Sequence, residues 1–135
     1  SVRKVEINIE SVQNSAGETL KIEQQSHGYL TFKASSWYLR YKDQEGIEYT
    51  YKYSADRLLV LRQGAVEHRQ EFILGKERIS SYFNTGIILE VKTITNKLKL
   101  EKLDADIKIY LEYQLYRNGI FQGINQVLIR TRECS

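Results

Sequence analysis

From Ile47 to Ser54 the chain reads Ile-Glu-Tyr-Thr-Tyr-Lys-Tyr-Ser, with a bulky apolar or aromatic side chain at every odd position and a polar one at every even position. In an extended strand residues i, i+2 and i+4 share a face, so Ile47, Tyr49, Tyr51 and Tyr53 form one row. At helical spacing the same side chains would scatter around the cylinder and bury nothing coherent. The two-residue period recurs along the chain in Val5-Ile7-Ile9, in Leu20-Ile22, in Trp37-Leu39-Tyr41 and in Ile87-Leu89-Val91-Thr93. It returns in the row Ile107, Ile109, Leu111, Tyr113 and Leu115, and in Val127, Ile129 and Thr131. Between Arg57 and Gln63 both faces are partly apolar, Leu58 and Val60 on one and Leu59 and Leu61 on the other, as expected of a strand covered on both sides.

Turn chemistry punctuates these rows. Asn14-Ser15-Ala16-Gly17, Asp43-Gln44-Glu45-Gly46, Gly64-Ala65, Gly75-Lys76 and Asn84-Thr85-Gly86 each separate two alternating segments, and Asn118-Gly119 is the strongest hairpin signal because both positions tolerate positive φ. His27-Gly28 predicts a bulge or bend inside a long strand from Thr19 to Lys33, since a strand glycine frees φ. The charged stretch Lys97 to Asp106 reads as a connection, with room for a helical turn over Asn96 to Ala105. The pattern predicts an all-β antiparallel meander of about eight to ten strands, packed as a sandwich or a barrel. A closed barrel is favoured, because closure removes the exposed edges that a chain without proline has few other means of protecting.

The length of 135 residues fits one domain, 1–135, with a single core. A net charge of +3 is spread along the strands with no block of one sign, which is ordinary solubility with a mild preference for anionic partners. Trp37, Tyr38, Arg40, Tyr41 and Lys42 interleave rings with cations as single-strand binders do, but alternation splits them between two faces, so nucleic acid is not the expected partner. Cys134 is the single cysteine, so no internal disulfide can form, and it reads as an inert surface thiol near a chain end. No apolar stretch approaches the roughly 18 residues of a membrane-spanning helix and none resembles a signal peptide, so a cytoplasmic protein is expected.

The stretch Leu61-Arg62-Gln63-Gly64-Ala65-Val66, followed by Phe72, Gly75-Lys76 and Tyr82-Phe83-Asn84-Thr85-Gly86, resembles the YwiB-like family of small bacterial proteins. The likeness extends to Val5-Glu6-Ile7-Asn8-Ile9, to the strand Gly46 to Tyr53 and to the Tyr110 to Gln126 hairpin, and its most specific part is the Arg-x-Gly-x-Val turn at Arg62 to Val66. The family usually carries a Thr-Pro-x-Gly-like turn where this chain has the shorter Thr85-Gly86. The resemblance implies a calycin-like (lipocalin-like) β-barrel. It implies no activity and no site residues, because the family is uncharacterised.

The sequence contains no His-Glu-x-x-His metal motif, no Cys-x-x-Cys pair, no Gly-x-Ser-x-Gly elbow and no glycine-rich phosphate loop, so no enzyme, cofactor or metal is expected. His27 and His68, without a third ligand at motif spacing, read as structural. Parity nevertheless groups Val66, His68, Gln70 and Phe72 on one face and Leu58, Val60 and Arg62 on another. If the apolar ends of these rows point inward, Arg62, His68 and Gln70 enter the barrel with them, and the hydroxyls of Tyr49, Tyr51 and Tyr53 join the same interior. A buried guanidinium keeps its charge and needs a carboxylate or an anionic ligand. These residues therefore form the expected lumen site for a small-molecule anion or a fatty acid. The simpler alternative is a filled core in which Arg62 is exposed or paired, with an outer surface around Tyr38, Arg40, Tyr110 and Tyr116 docking another protein. A third is an enzyme pairing His68 with a carboxylate in an open cleft.

Overall fold

The computed structural model describes residues 1–134 and contains ten strands. They are β1 (Val2–Ser15), β2 (Glu18–Lys33), β3 (Ser36–Lys42), β4 (Glu48–Ser54), β5 (Arg57–Gln63), β6 (Val66–Ile73), β7 (Glu77–Asn84), β8 (Ile87–Leu103), β9 (Asp106–Arg117) and β10 (Ile120–Glu133). Each pairs antiparallel with the next, and β10 returns to β1 to close the barrel, with Val5 opposite Glu133 and Ile9 opposite Ile129. No helix occurs among the described residues, and none is long and apolar enough to cross a membrane.

The two-residue rows become the barrel interior. Val5 and Ile7 of β1, Leu30 of β2, Leu39 of β3, Leu58 of β5, Phe72 of β6, Ile107 and Ile109 of β9 and Ile129 of β10 are almost completely buried and form one core. The turns behave as their residues dictate. Thr85-Gly86 and Asn118-Gly119 both adopt positive φ, and Asn84 stands directly opposite Ile87 across a two-residue loop. Asp43 builds the β3–β4 turn, its Oδ1 accepting the N–H groups of Glu45 (2.9 Å) and Ile47 (3.0 Å).

Two sequence expectations are corrected. The segment from Lys97 onward is not a connection or a helical turn but the second half of β8. Asn96 is the extra residue of a β-bulge, since Thr95 pairs with Tyr113 and Lys97 with Glu112. The bulge moves the inward positions from Val91, Thr93 and Thr95 to Leu98 and Leu100, and this change of parity hides the strand in the sequence. At His27-Gly28 there is no bulge, because the β1–β2 register runs through it without a shift. Glycine is required there for space: a Cβ on Gly28 would lie 2.1 Å from the Arg40 carbonyl oxygen.

One seam of the barrel is incomplete. β6 and β7 share two registered pairs, Val66 with Asn84 and Glu67 with Phe83, whereas β5 and β6 are registered from Arg57–Ile73 to Arg62–His68. Past this short ladder the chain after β6 crosses to β8, where Leu74 bridges to Thr95 and the Gly75 N–H donates to the Thr95 carbonyl at 2.8 Å.

Candidate functional site

Five strands carry the polar interior. The Asp43–Gly46 turn sets the β3–β4 register so that Tyr41 stands opposite Tyr49, and β4–β5 pairing then puts Tyr49 opposite Arg62 and Tyr51 opposite Val60. β6 completes the group with His68 opposite Arg62 and Gln70 opposite Val60. Tyr41 stacks on Tyr49 at 4.7 Å between ring centres, and the Tyr41 and Tyr51 hydroxyls are 3.1 Å apart. From β9, Tyr113 adds a further hydroxyl, which receives the Asn125 amide N–H at 3.1 Å.

Arg62 sits where two cavities meet. Below it an internal cavity of about 200 Å³ is walled by aliphatic and aromatic side chains, with Ser11, Tyr41, Tyr51, Gln70 and Tyr113 among its polar groups. Above it a wider mouth of about 600 Å³ opens between the middle of β2, the start of β4 and the end of β7, and is rimmed by Glu23, Asp43 and Glu45. Arg62, Tyr49 and Gln24 line both. Among the described residues no carboxylate forms an ion pair with Arg62, and its Nε is buried without a hydrogen-bond partner. The guanidinium carbon lies over the face of the Tyr49 ring, 5.8 Å from its centre.

The neighbours of Arg62 are held neutral. Burial, and then the Arg62 charge, push the His68 imidazole down to about 4. Its Nε2 lies 2.8 Å from Ser80 Oγ, and when that hydroxyl donates to the Val91 carbonyl at 3.5 Å, Nε2 is the donor to Ser80 and Nδ1 is an acceptor. Nδ1 is buried without a partner. Burial raises Tyr41, Tyr49, Tyr51 and Tyr113 above the ordinary tyrosine value. The site thus offers one cation, an orphaned donor and an orphaned acceptor within a wall of neutral hydroxyls.

The expected site residues divide. Arg62, His68, Gln70, Tyr49 and Tyr51 are brought together, and His68 and Gln70 are both buried. Tyr53 is on the same face but outside the group: it stands opposite Trp37 and Leu58 and does not line the lumen cavity. Tyr41 and Tyr113 are additional members. Parity alone placed both on the inner face, and the β3–β4 turn contained the register that puts Tyr41 on Tyr49. His27 lies outside, exposed, 3.9 Å from Glu6. Cys134 is half-buried rather than free on the surface, and its N–H donates to the Lys4 carbonyl at 3.1 Å. The outer aromatic positions do not form one surface: Tyr38 and Arg40 are on β3, Tyr110 and Tyr116 on β9, and β2, β1 and β10 intervene.

The family described as a domain of unknown function, DUF1934, matches residues 7–129. The chain is similar to the uncharacterised β-barrel protein YwiB of Bacillus subtilis (strain 168), at 26% identity over 115 residues, covering 83% of this chain and 81% of that protein. Its fold is similar to the crystal structure of the B. subtilis ywiB protein, with a TM-score of 0.88 at 23% identity over 99% of this chain and 94% of the other.

Proposed function

We propose that this chain, which belongs to the DUF1934 family, is a non-catalytic barrel that binds a small organic carboxylate in its lumen, with Arg62 as the anion partner. The observation that carries the reading is a half-buried arginine at the junction of two cavities, with its Nε buried without a hydrogen-bond partner and no carboxylate paired with it among the described residues. Taking such a charge out of water costs several kcal/mol unless something pairs with it, and a bidentate carboxylate meets that need. Cavity size limits the ligand. At about 200 Å³ the lumen is smaller than the roughly 300–1,000 Å³ of drug-sized sites, so a short aromatic or branched carboxylate fits better than a long fatty acid. A carboxylate that also carries a hydroxyl satisfies Arg62 Nε–H and His68 Nδ1 together. Ser80, not a carboxylate, holds His68 Nε2, which supports binding rather than acid–base chemistry.

The test is native mass spectrometry of protein purified without denaturation, followed by calorimetric titration with benzoate and mandelate. Binding that disappears in Arg62→Ala, with a preference for mandelate that disappears in His68→Phe, is the expected result. A bare mass together with no heat from either compound overturns the reading.

A further inference from the structure

We infer that anions reach the lumen through a window in the barrel wall between β6 and β7, and not through the wide mouth, an inference that rests on the proposed lumen site. The window is framed by backbone at both ends, by the Val66–Asn84 and Glu67–Phe83 pairs above and the Leu74–Thr95 bridge below. Between them side chains span the gap: His68 Nε2 meets Ser80 Oγ at 2.8 Å, and Arg78 Nε donates to Glu71 Oε1 at 3.2 Å. A cavity of about 90 Å³ occupies the opening. Its lining runs from the outward-facing Arg69 and Glu71 to the inward-facing Gln70, Ser80 and Thr93, so it passes through the wall. Gln70 also lines the lumen cavity, so a single side chain separates the two spaces.

Charge separates the two entrances. The mouth presents Glu23, Asp43 and Glu45 around Arg62, with Glu23 paired with Lys21 at 3.2 Å, so an approaching carboxylate meets three acidic groups and one cation there. The window presents Arg69 and Arg78 around Glu71, and Glu71 is also held by Arg57 at 3.8 Å. A carboxylate drawn to these arginines has Gln70 and His68 ahead of it and Arg62 opposite His68. Opening the window needs the side-chain contacts Glu71–Arg78, His68–Ser80 and His68–Tyr82 to rearrange, and the middle of this seam has no registered backbone ladder to break.

The route is measured by labelling a thiol on the far wall. In Val127→Cys/Cys134→Ser, the introduced side chain lines the lumen on β10, and its alkylation is timed with iodoacetate, an anion, and with iodoacetamide, its neutral analogue. Arg69→Glu/Arg78→Glu is expected to lower the iodoacetate-to-iodoacetamide rate ratio about tenfold at low ionic strength, an effect of the size of electrostatic steering. Glu23→Gln/Glu45→Gln is expected to leave the ratio unchanged. A ratio that responds to the mouth substitutions and not to those at the window overturns the inference, as does a ratio that responds to neither. Should the double reversal unfold the protein, Arg69→Gln/Arg78→Gln supplies the same comparison with a smaller expected drop. Because alkylation reports passage and calorimetry reports binding, a lumen that takes up no benzoate would overturn the ligand reading and leave the measured route standing.

Discussion

Arg62 and His68 stand opposite each other in the β5–β6 ladder, both turned into the barrel, one permanently charged and the other held neutral. The pair combines a buried donor and a buried acceptor, Arg62 Nε–H and His68 Nδ1, with neither satisfied within the chain. Buried polar groups are almost always hydrogen-bonded, so two orphans on facing residues, one of them at the junction of two cavities, mark a place built for something other than stability.

Replacing Arg62 tests that reading without a ligand. Arg62→Met keeps most of the side-chain volume and removes an uncompensated charge, so the unfolding free energy is expected to rise by roughly 1–2 kcal/mol. Urea denaturation at pH 7.5 measures it. A loss of stability instead would mean that the guanidinium is satisfied inside the folded protein.

His68 gives the fold an acid limit. Its folded value of about 4 lies below the ordinary 6.5, so between these values the unfolded chain binds the additional proton. The contribution is complete above pH 6.5 and is lost as pH falls toward 4, amounting to roughly 3 kcal/mol at most. His68→Gln should flatten the stability profile across that interval relative to the parent, in denaturation curves taken at pH 4.5 and 7.5. Parallel profiles for the two proteins would refute the burial argument.

The tyrosine cluster sets the opposite limit. Burial raises the folded values of Tyr41, Tyr49, Tyr51, Tyr53 and Tyr113, so the unfolded chain releases these protons first and stability falls as pH rises past 10. Ultraviolet titration should therefore show these five tyrosines ionising only as the protein unfolds. Their ionisation in the folded protein near pH 10 would contradict it.

Gly28 should not tolerate a side chain. A Cβ there would meet the Arg40 carbonyl oxygen at 2.1 Å and both Ile7 Cδ1 and Tyr41 Cβ at 2.9 Å, at the point where β2 first joins β3. Gly28→Ala is expected to cost about 3 kcal/mol or more, because backbone must shift to admit the methyl group. Gly17→Ala, in a turn with open space around it, isolates the φ penalty alone and should cost about 1 kcal/mol. Equal losses in thermal melts of the two variants would show that crowding at Gly28 is relieved cheaply.

Local pattern was sufficient for most of the architecture. The period of two in rows such as Ile107 to Leu115, together with turns such as Asn118-Gly119, determined the strands, their inward faces and an antiparallel meander, because side-chain direction in a strand depends on position parity alone. The inward placement of Arg62, His68 and Gln70 followed from the same rule. Parity failed where a bulge interrupts it, at Asn96, since an inserted residue leaves no signature beyond a shift in the apolar row. It also could not tell Tyr53 from Tyr51, which share a face but reach different depths of the barrel. Only the closed structure decided that Arg62 lacks a carboxylate, that Tyr41 bonds Tyr51, and that β6 and β7 part to leave a window. Each of these depends on distances between strands far apart in the chain, which arise when curvature and register act together around the barrel.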